Sequence, residues 1–381
     1  MSSSRGRVAG TPGAAVFAQK LSSGARLLPA GVAAVLLVAV AGCGGGGEGG
    51  TVTSTVTASS GATSSASTSA ASGDATPGIV AAANAFLATL TADEKFHVLF
   101  DWSDTAQKAR WSNLPQGLYQ RDGLMVGNLS TEKVNAFLAV MKATLSTEGY
   151  QRVVAEWTAD DQLATQGGMS YGKQYYWMAI IGEPSGTDPW QWQFGGHHVT
   201  VNATIHGSQV ALTPSFIGAQ PATYKDNATT VRPLGDIEDE AFALVNSLDS
   251  TDRSKAVLGT SPIDLVLGPG QDGKTIQSEG LPASEMSADE QTAFLKLIDE
   301  YGGLVNDEDA ASREAQLKAD LPKTYFAWYG PTAVGSAAYF RVTGPHIAVE
   351  YSPQSMGGDA ANHIHGIYRD PTNDYGAAIT S

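Results

Sequence analysis

Two blocks of the sequence recur further along the chain at constant spacings, and this repetition limits the folds that the chain can adopt. Residues 122–141 (DGLMVGNLSTEKVNAFLAVM) align without a gap with residues 279–298 (EGLPASEMSADEQTAFLKLI), at an offset of 157. Residues 182–201 align in the same way with residues 330–349, at an offset of 148. Two similarities in the same order predict an internal duplication. We place the two similar halves at residues 78–225 and 236–371.

Each half begins with helical patterns and ends with strand patterns. Residues 130–146 and 287–303 have apolar side chains at helical spacing behind a serine cap signal. Runs rich in aromatic and β-branched side chains follow, separated by turn-forming residues. The sequence therefore predicts an α+β fold in which each half is a set of helices followed by an antiparallel β-meander. We expect the halves to pack together as one globular body.

The N-terminus has the pattern of a targeting segment. A basic region ending at Arg26 precedes LLPAGVAAVLLVAVAG, an apolar run too short and too rich in Gly and Pro to predict a permanent membrane span. Small residues directly before Cys43 are typical of the site cut by the bacterial lipoprotein signal peptidase. We predict a signal peptide at residues 1–42 and a lipid on the Cys43 thiol. An ordinary secretory signal or an uncleaved anchor is the alternative.

The composition after this segment excludes several classes of function. Residues 43–77 are rich in Gly, Ser and Thr, which predicts a flexible linker that holds the body outside the membrane. Cys43 is the only cysteine, so we expect neither a disulfide nor a cysteine nucleophile. Removing the segment before Cys43, with its four basic residues, takes the net charge from −15 to −19. Such a surface repels phosphate backbones, so nucleic acid is not an expected partner.

Four of the seven histidines lie in two short motifs, GGHH (195–198) and NHIH (362–365). With Gly195-Gly196 as a two-residue hairpin turn, Phe194 faces His197 and Gln193 faces His198. The two histidines then lie on opposite faces of the sheet. Only one of them can then join a cluster on the polar face.

The second motif lies on a predicted strand whose side chains alternate between two faces. Ile364 points toward the core, while His363 and His365 point the other way, onto a face that they share with His346 and Glu350. Two imidazoles in a His-x-His pair lie about 7 Å apart at the backbone, which is close enough to bind one ion.

These patterns leave two interpretations open, a metal site and a polar strand face. A divalent metal such as zinc would be held by histidines of the two motifs, and Glu350 would be a further ligand or the general base. The candidate metal ligands are His197, His198, His363 and His365. The alternative is a polar strand face whose histidines bond neighbouring carboxylates or a small molecule. The pair Asp160-Asp161 is interpreted as solvated charge.

The motifs also carry a resemblance. WQFGGHH (192–198), TPSFIGA (213–219), and NHIH (362–365) followed by YRDP (368–371) resemble a bacterial family catalogued as domain of unknown function 3500. The resemblance covers about residues 80–372 and implies a secreted or lipid-anchored protein without an assigned activity. It supports a site at the histidines of GGHH and NHIH, and it adds nothing for His346.

Two functions from different classes follow from these observations. The first is a lipid-anchored extracytoplasmic enzyme, hydrolase-like, with a metal bound by the two motifs. The second is a lipid-anchored binding protein that takes up a small molecule or a cell-envelope fragment between its two halves. A structural protein of the envelope, in which the repeat serves only stability, is a third interpretation.

Overall fold

The computed structural model of the protein describes residues 74–381. The predicted signal peptide, Cys43 and almost all of the predicted linker lie outside the described residues. The first helix begins at Thr76, two residues before the predicted start of the first half. Along the described part of the chain, no helix is both long and apolar enough to cross a membrane.

Residues 74–231 contain five helices and nine strands. They are α1 (Thr76–Thr89), α2 (Ala92–Val98), β1 (Leu99–Phe100), α3 (Thr105–Lys108), β2 (Leu124–Met125), α4 (Thr131–Thr144), α5 (Thr147–Ala164), β3 (Trp177–Ile181), β4 (Trp190–Gly195), β5 (Thr200–His206), β6 (Gln209–Ala211), β7 (Ser215–Ala219), β8 (Tyr224–Asp226) and β9 (Thr229–Val231).

Residues 235–369 contain four helices and six strands. They are α6 (Gly235–Ser247), α7 (Ser250–Ala256), β10 (Val257–Gly259), β11 (Leu281–Pro282), α8 (Ala288–Gly302), α9 (Asp307–Asp320), β12 (Tyr325–Tyr329), β13 (Tyr339–Gly344), β14 (Ile347–Pro353) and β15 (Ile364–Arg369).

The helices begin at the caps that the sequence predicts. The Ser130 hydroxyl accepts a hydrogen bond from the backbone N–H of Lys133 and caps α4. Ser287 caps α8 in the same way, and the Glu290 carboxylate accepts a hydrogen bond from the Ser287 backbone N–H. Each cap satisfies backbone N–H groups that a helix end leaves without partners.

One large mixed sheet forms the centre of the molecule. Its strand order is β1-β3-β4-β5-β7-β15-β14-β13-β12-β10, and β2, β6 and β11 pair at its margins with β3, β5 and β12. The α+β class is therefore correct. The sheet is mixed because β1 pairs in parallel with β3 and β10 with β12, and these two parallel pairs were not predicted. Strands β7 and β15 pair antiparallel through five residues each, so one sheet runs through both predicted halves.

Helices cover one face of this sheet, and the predicted core residues lie there. Two clusters of buried apolar side chains fill the space between helices and sheet. The predicted core residues of the first cluster are Trp190, Trp192, Val199, Val201, Ala203 and Ile205. Those of the second are Phe340, Ile347, Val349, Ile364 and Tyr368.

The short helix α3 and long irregular segments contact the opposite, more polar face. The Gln193 amide donates to the backbone carbonyl of Lys108, and the Ser352 hydroxyl donates to that of Ile263. Polar side chains on this face thus bind backbone groups of the covering segments, which keeps buried polar atoms paired.

The connection between β4 and β5 differs from the predicted two-residue turn. Phe194 pairs with Val201 and Gly195 with Thr200, and the Gly196 N–H bonds the Val199 carbonyl across a loop of residues 196–199. The shift relative to the predicted register is an even number of residues, so the core face is unchanged. Both histidines of GGHH leave the strands and lie in the loop.

Candidate functional site

Three histidines from the two motifs meet at one point. His198 Nε2 lies 3.0 Å from His363 Nε2, and His363 Nε2 lies 3.0 Å from His365 Nε2. The ligand atoms of the three all lie within 4.8 Å of one another. We call this group the histidine cluster. GGHH and NHIH thus converge although 165 residues separate His198 from His363.

The central strand pair brings the motifs together. His365 lies in β15 opposite Gly218 of β7, and the loop with His198 passes beside the same glycine. A Cβ atom at Gly218 would lie 2.8 Å from the Ile364 carbonyl oxygen and 3.0 Å from the His198 carbonyl oxygen. Only the absence of a side chain at position 218 permits this close approach of three backbones.

The outer nitrogens of the cluster set its orientation. His363 Nδ1 donates to the backbone carbonyl of Met356 at 2.6 Å, which leaves the Nε2 lone pair directed at the other two histidines. His365 Nδ1 lies 3.5 Å from the Asn113 amide nitrogen. His198 Nδ1 is buried and has no hydrogen-bond partner among the described residues.

Burial keeps the cluster uncharged at neutral pH. Desolvation lowers the pKa of His198 and of His365 well below the usual range, and the neighbouring imidazoles lower it further. Desolvation also lowers the pKa of His363, and the opposite effect of the Met356 carbonyl is smaller. Neutral imidazoles have free lone pairs, the form in which histidine binds a metal.

The geometry fits a first-row divalent ion. Metal–nitrogen bonds of about 2.0–2.1 Å in a tetrahedral site separate the ligand nitrogens by roughly 3.3 Å. The observed separations of 3.0 Å are close to this value, so small side-chain adjustments admit an ion. Imidazole ligands suit zinc, copper and iron. Three histidines leave the fourth tetrahedral position free for a water or a substrate atom.

His197 lies beside the cluster and has a different partner. Its Nδ1 lies 2.6 Å from Asp160 Oδ1, and its ring centroid lies 3.5 Å from that of His198. Asp160 also accepts the Gly172 backbone N–H at 2.8 Å. The Tyr176 hydroxyl donates to the His197 backbone carbonyl and so restrains the loop of residues 196–199. Ligand atoms of Asp160, His197 and His198 form a second group within 4.8 Å.

Asp160 is the site residue that the sequence reasoning missed. Its interpretation as solvated charge is wrong, because the residue is 1% exposed. A signal was present in the helical spacing, since Asp160 continues the buried face of α5. The other buried residues of this face include Val153, Glu156, Trp157 and Leu163. A carboxylate on an apolar helix face requires a partner, and His197 is that partner.

The structure does not bring Glu350 to the histidine cluster. Its carboxylate is fully buried and accepts hydrogen bonds from the backbone N–H groups of Val266 and Leu267 and from the Tyr339 hydroxyl. Glu350 lies on the same face as His365, as the alternation predicts, but its oxygens are already occupied by these donors.

The remaining histidines lie elsewhere. His346 Nδ1 pairs with Asp320 at the end of α9, on the helical side of the sheet rather than beside Glu350. His97 lies on α2 with more than half of its side chain exposed. His206 Nδ1 bonds the backbone carbonyl of Ile379 near the C-terminus.

Comparison with known proteins gives a family. Residues 72–377, which include both histidine motifs, match the family model described as "Protein of unknown function (DUF3500)". The chain belongs to the DUF3500 family. A search of curated proteins found no match, and neither did a search of solved structures.

Proposed function

We propose that this DUF3500 protein binds one divalent metal ion through His198, His363 and His365. The observation that carries the proposal is the convergence of three Nε2 atoms, from the buried His198 and His363 and the half-buried His365. Three uncharged nitrogens directed at one another are an unfavourable arrangement unless a proton or a cation lies between them. An ion bound by all three satisfies every lone pair at once.

The backbone at the site supports a functional role. His198 has a φ of 71°, in the left-handed region that non-glycine residues rarely adopt. Such strain costs about 1–3 kcal/mol and clusters at functional sites. In this conformation the His198 ring lies 4.9 Å from that of His363 and 5.2 Å from that of His365, centroid to centroid.

With an ion held by His198, His363 and His365, the site would have the chemistry of hydrolases, in which a metal-bound water becomes hydroxide near neutral pH. The chain supplies a proton acceptor beside it. His197 is oriented by Asp160 and lies against the His198 ring. We assign the general-base role to His197 rather than to Glu350, whose carboxylate binds backbone N–H groups.

We further propose that the protein works outside the cytoplasm, anchored by a lipid on Cys43. The support is the signal pattern of residues 1–42 and the Gly/Ser/Thr-rich linker of residues 43–77. Metabolic labelling with a radioactive fatty acid tests the anchor. Label in the parent and none in Cys43→Ala is the expected outcome, and equal label in both would contradict it.

We infer that the body arose by internal duplication. The pairings Trp177–Gly195 and Tyr325–Thr343 are related by the sequence offset of 148. The strand order of the sheet also reads alike from both ends toward the β7–β15 pair.

The margin of the sheet gives a second, independent support for duplication. The pairing of Leu124 with Met178 has its counterpart in that of Leu281 with Phe326. The first members of the two pairs are related by the offset of 157 and the second members by that of 148. Both offsets come from sequence alignment alone, yet together they reproduce a strand register.

A second candidate function is uptake of a small polar ligand. A cavity of about 400 Å³ lies between residues 208–213 of the first predicted half and residues of α9 and β15 in the second. Its size falls within the range of small-molecule sites. The Arg313 guanidinium within it already binds Asp370 and the Tyr368 hydroxyl, which favours an uncharged ligand over an anion.

Elemental analysis tests the metal proposal. The full chain is purified without a histidine tag, and its metal content is compared with that of His363→Ala and His198→Ala. His97→Ala removes an exposed imidazole outside the cluster and is the matched control. We expect about one equivalent of one metal in the parent and in the control, and less than a tenth in the two cluster variants.

Reconstitution separates an absent site from an empty one. The parent is stripped with a chelator and titrated with zinc, copper and iron salts while thermal unfolding is followed. A ligand that binds only the folded state raises the unfolding temperature. Folded parent protein that neither contains nor takes up any of these ions would contradict the proposal and direct attention to the 400 Å³ cavity.

A further inference from the structure

A small cavity lies behind the loop that carries the histidines of GGHH. It measures about 20 Å³ and lies between β3 and β4, the first residue of β5 and the irregular segment around Arg110 and Arg121. A cavity of this size holds one water-sized or halide-sized particle, since roughly 10–15 Å³ is sufficient for a water. Thr200 and Gly195 complete the wall next to the loop.

The polar atoms around this cavity lack partners. Within residues 74–381, Arg121 Nε, Arg121 Nη1 and Thr200 Oγ1 are all buried without a hydrogen bond. Both residues line the same cavity. Buried polar atoms in native proteins are nearly always paired with protein, water or an ion, so this group indicates a missing acceptor.

The missing acceptor has to balance a positive charge. Arg121 is 5% exposed and uses Nη2 to donate to the backbone carbonyls of Ser112, Leu114 and Gly196, at 2.6, 2.7 and 2.9 Å. It has no carboxylate in an ion pair among the described residues. A buried charge without a counter-charge is strongly unfavourable.

The other ionic groups at the cavity leave this charge uncompensated. Arg110 and Asp122 neutralise each other, with 3.2 Å between Nε and Oδ2. Asp160 acts on Arg121 from a greater distance and is bound to His197 and Gly172. Burial lowers the pKa of Arg121 to about 10, so its side chain is still cationic at neutral pH. The walls therefore carry one net positive charge.

We propose that this cavity is a binding site for one small monovalent anion of halide size, held by Arg121 and Thr200. The size excludes carboxylate-bearing metabolites and phosphate, and the single net charge matches one halide ion. Water satisfies some of the hydrogen bonds but leaves the charge of Arg121 without a partner. The inference does not depend on the proposed metal.

The position of the anion site connects it with the loop of residues 196–199. Arg121 binds the Gly196 carbonyl at the start of this loop, and Thr200 follows its last residue. An anion that orders both side chains therefore restrains both ends of the loop that carries His197 and His198.

Halide-dependent stability tests the site in the full chain. Thermal unfolding of chelator-treated protein is compared in sodium chloride, sodium bromide and sodium gluconate at equal ionic strength, because gluconate is too large for the cavity. At a halide concentration ten times the dissociation constant, the folding equilibrium constant should rise about elevenfold. The unfolding temperature should be higher in chloride and bromide than in gluconate.

Threonine variants make the test specific. Thr200→Val keeps the shape and removes one ligand, and it should reduce the halide effect at least threefold. Thr204→Val is the matched control, because Thr204 is buried on the same face of β5 and its hydroxyl donates to Gln191. The control should keep the full halide effect.

Crystals grown in bromide give a direct readout. An anomalous peak within hydrogen-bonding distance of Arg121 Nε and Thr200 Oγ1 is expected. Stability that is identical in chloride and gluconate, together with an ordinary water at this position in bromide crystals, would overturn the proposal. Because the measurements use metal-free protein, they leave the metal proposal untouched in either case.

Discussion

Replacing Glu350 with alanine should make the protein easier to unfold without removing its metal. The carboxylate is fully buried and receives three donors, the N–H groups of Val266 and Leu267 and the Tyr339 hydroxyl, at 2.7–2.8 Å. It thus fastens an irregular segment to the polar face of the sheet. Its oxygens are occupied, so we expect no contribution to metal binding.

The magnitude follows from these contacts. A hydrogen bond to a charged group contributes about 1.5–3 kcal/mol, and removal of the acceptor leaves buried donors unpaired. Breaking a buried charged arrangement typically costs about 3–5 kcal/mol. We expect a loss of about 4 kcal/mol in the free energy of unfolding for Glu350→Ala, and about half of that for Glu350→Gln, which keeps one carbonyl oxygen.

Urea unfolding and elemental analysis form the assay. Parent, Glu350→Ala and Glu350→Gln are unfolded under the same conditions, and metal content is measured on the folded samples. Glu183→Ala removes an exposed carboxylate and should change the free energy of unfolding by less than about 0.5 kcal/mol. A Glu350→Ala variant as stable as the parent but without metal would refute the reasoning and restore Glu350 as a ligand or base.

Three further predictions concern buried groups near the site. Burial raises the pKa of Glu156 well above its usual range. The folded state therefore binds this proton more tightly than the unfolded state does. The free energy of unfolding should fall as the pH rises above the ordinary glutamate pKa. Glu156→Gln should abolish this decline between pH 5 and 8 in urea unfolding, and parallel pH profiles would contradict it. Gly196→Ala places a Cβ within 2.6–2.8 Å of the Tyr176 ring, so it should lower the free energy of unfolding by about 1–3 kcal/mol. It should also reduce the metal affinity, measured by zinc titration. Asp160→Asn should leave metal content unchanged but alter the ¹⁵N shifts of the His197 ring, because the Nδ1 partner loses its charge; unchanged shifts would argue against the pair.

The local pattern of the chain was sufficient for the α+β class and for the core faces of the main strands. Alternation of apolar side chains identified the core faces of β4, β5, β13, β14 and β15, because side-chain direction in a strand depends only on position. Serine caps marked the starts of α4 and α8 for a similar reason, since a cap acts within three residues. The histidine motifs could also be recognised from local sequence, because each places two metal-binding side chains within three residues.

The length of the β4–β5 loop and the partner of Asp160 depended on contacts between distant segments. The hairpin prediction failed because the loop of residues 196–199 is shaped by the Tyr176 ring under Gly196 and by burial of Val199, neither of which a turn rule contains. Asp160 was misinterpreted because its partner, His197, is 37 residues away. A charged residue is solvated or buried according to what packs against it, and the sequence around it does not contain that information.

The sequence by itself determined the α+β class and the identity of the four motif histidines, and it predicted two similar halves. Only the tertiary structure decided that His198, and not His197, joins His363 and His365. It also decided that Glu350 binds backbone N–H groups instead. The physical reason is that periodicity and capping act over a few residues, whereas the histidine cluster exists because β7 and β15 pair across the centre of the sheet and Gly218 allows three backbones to approach.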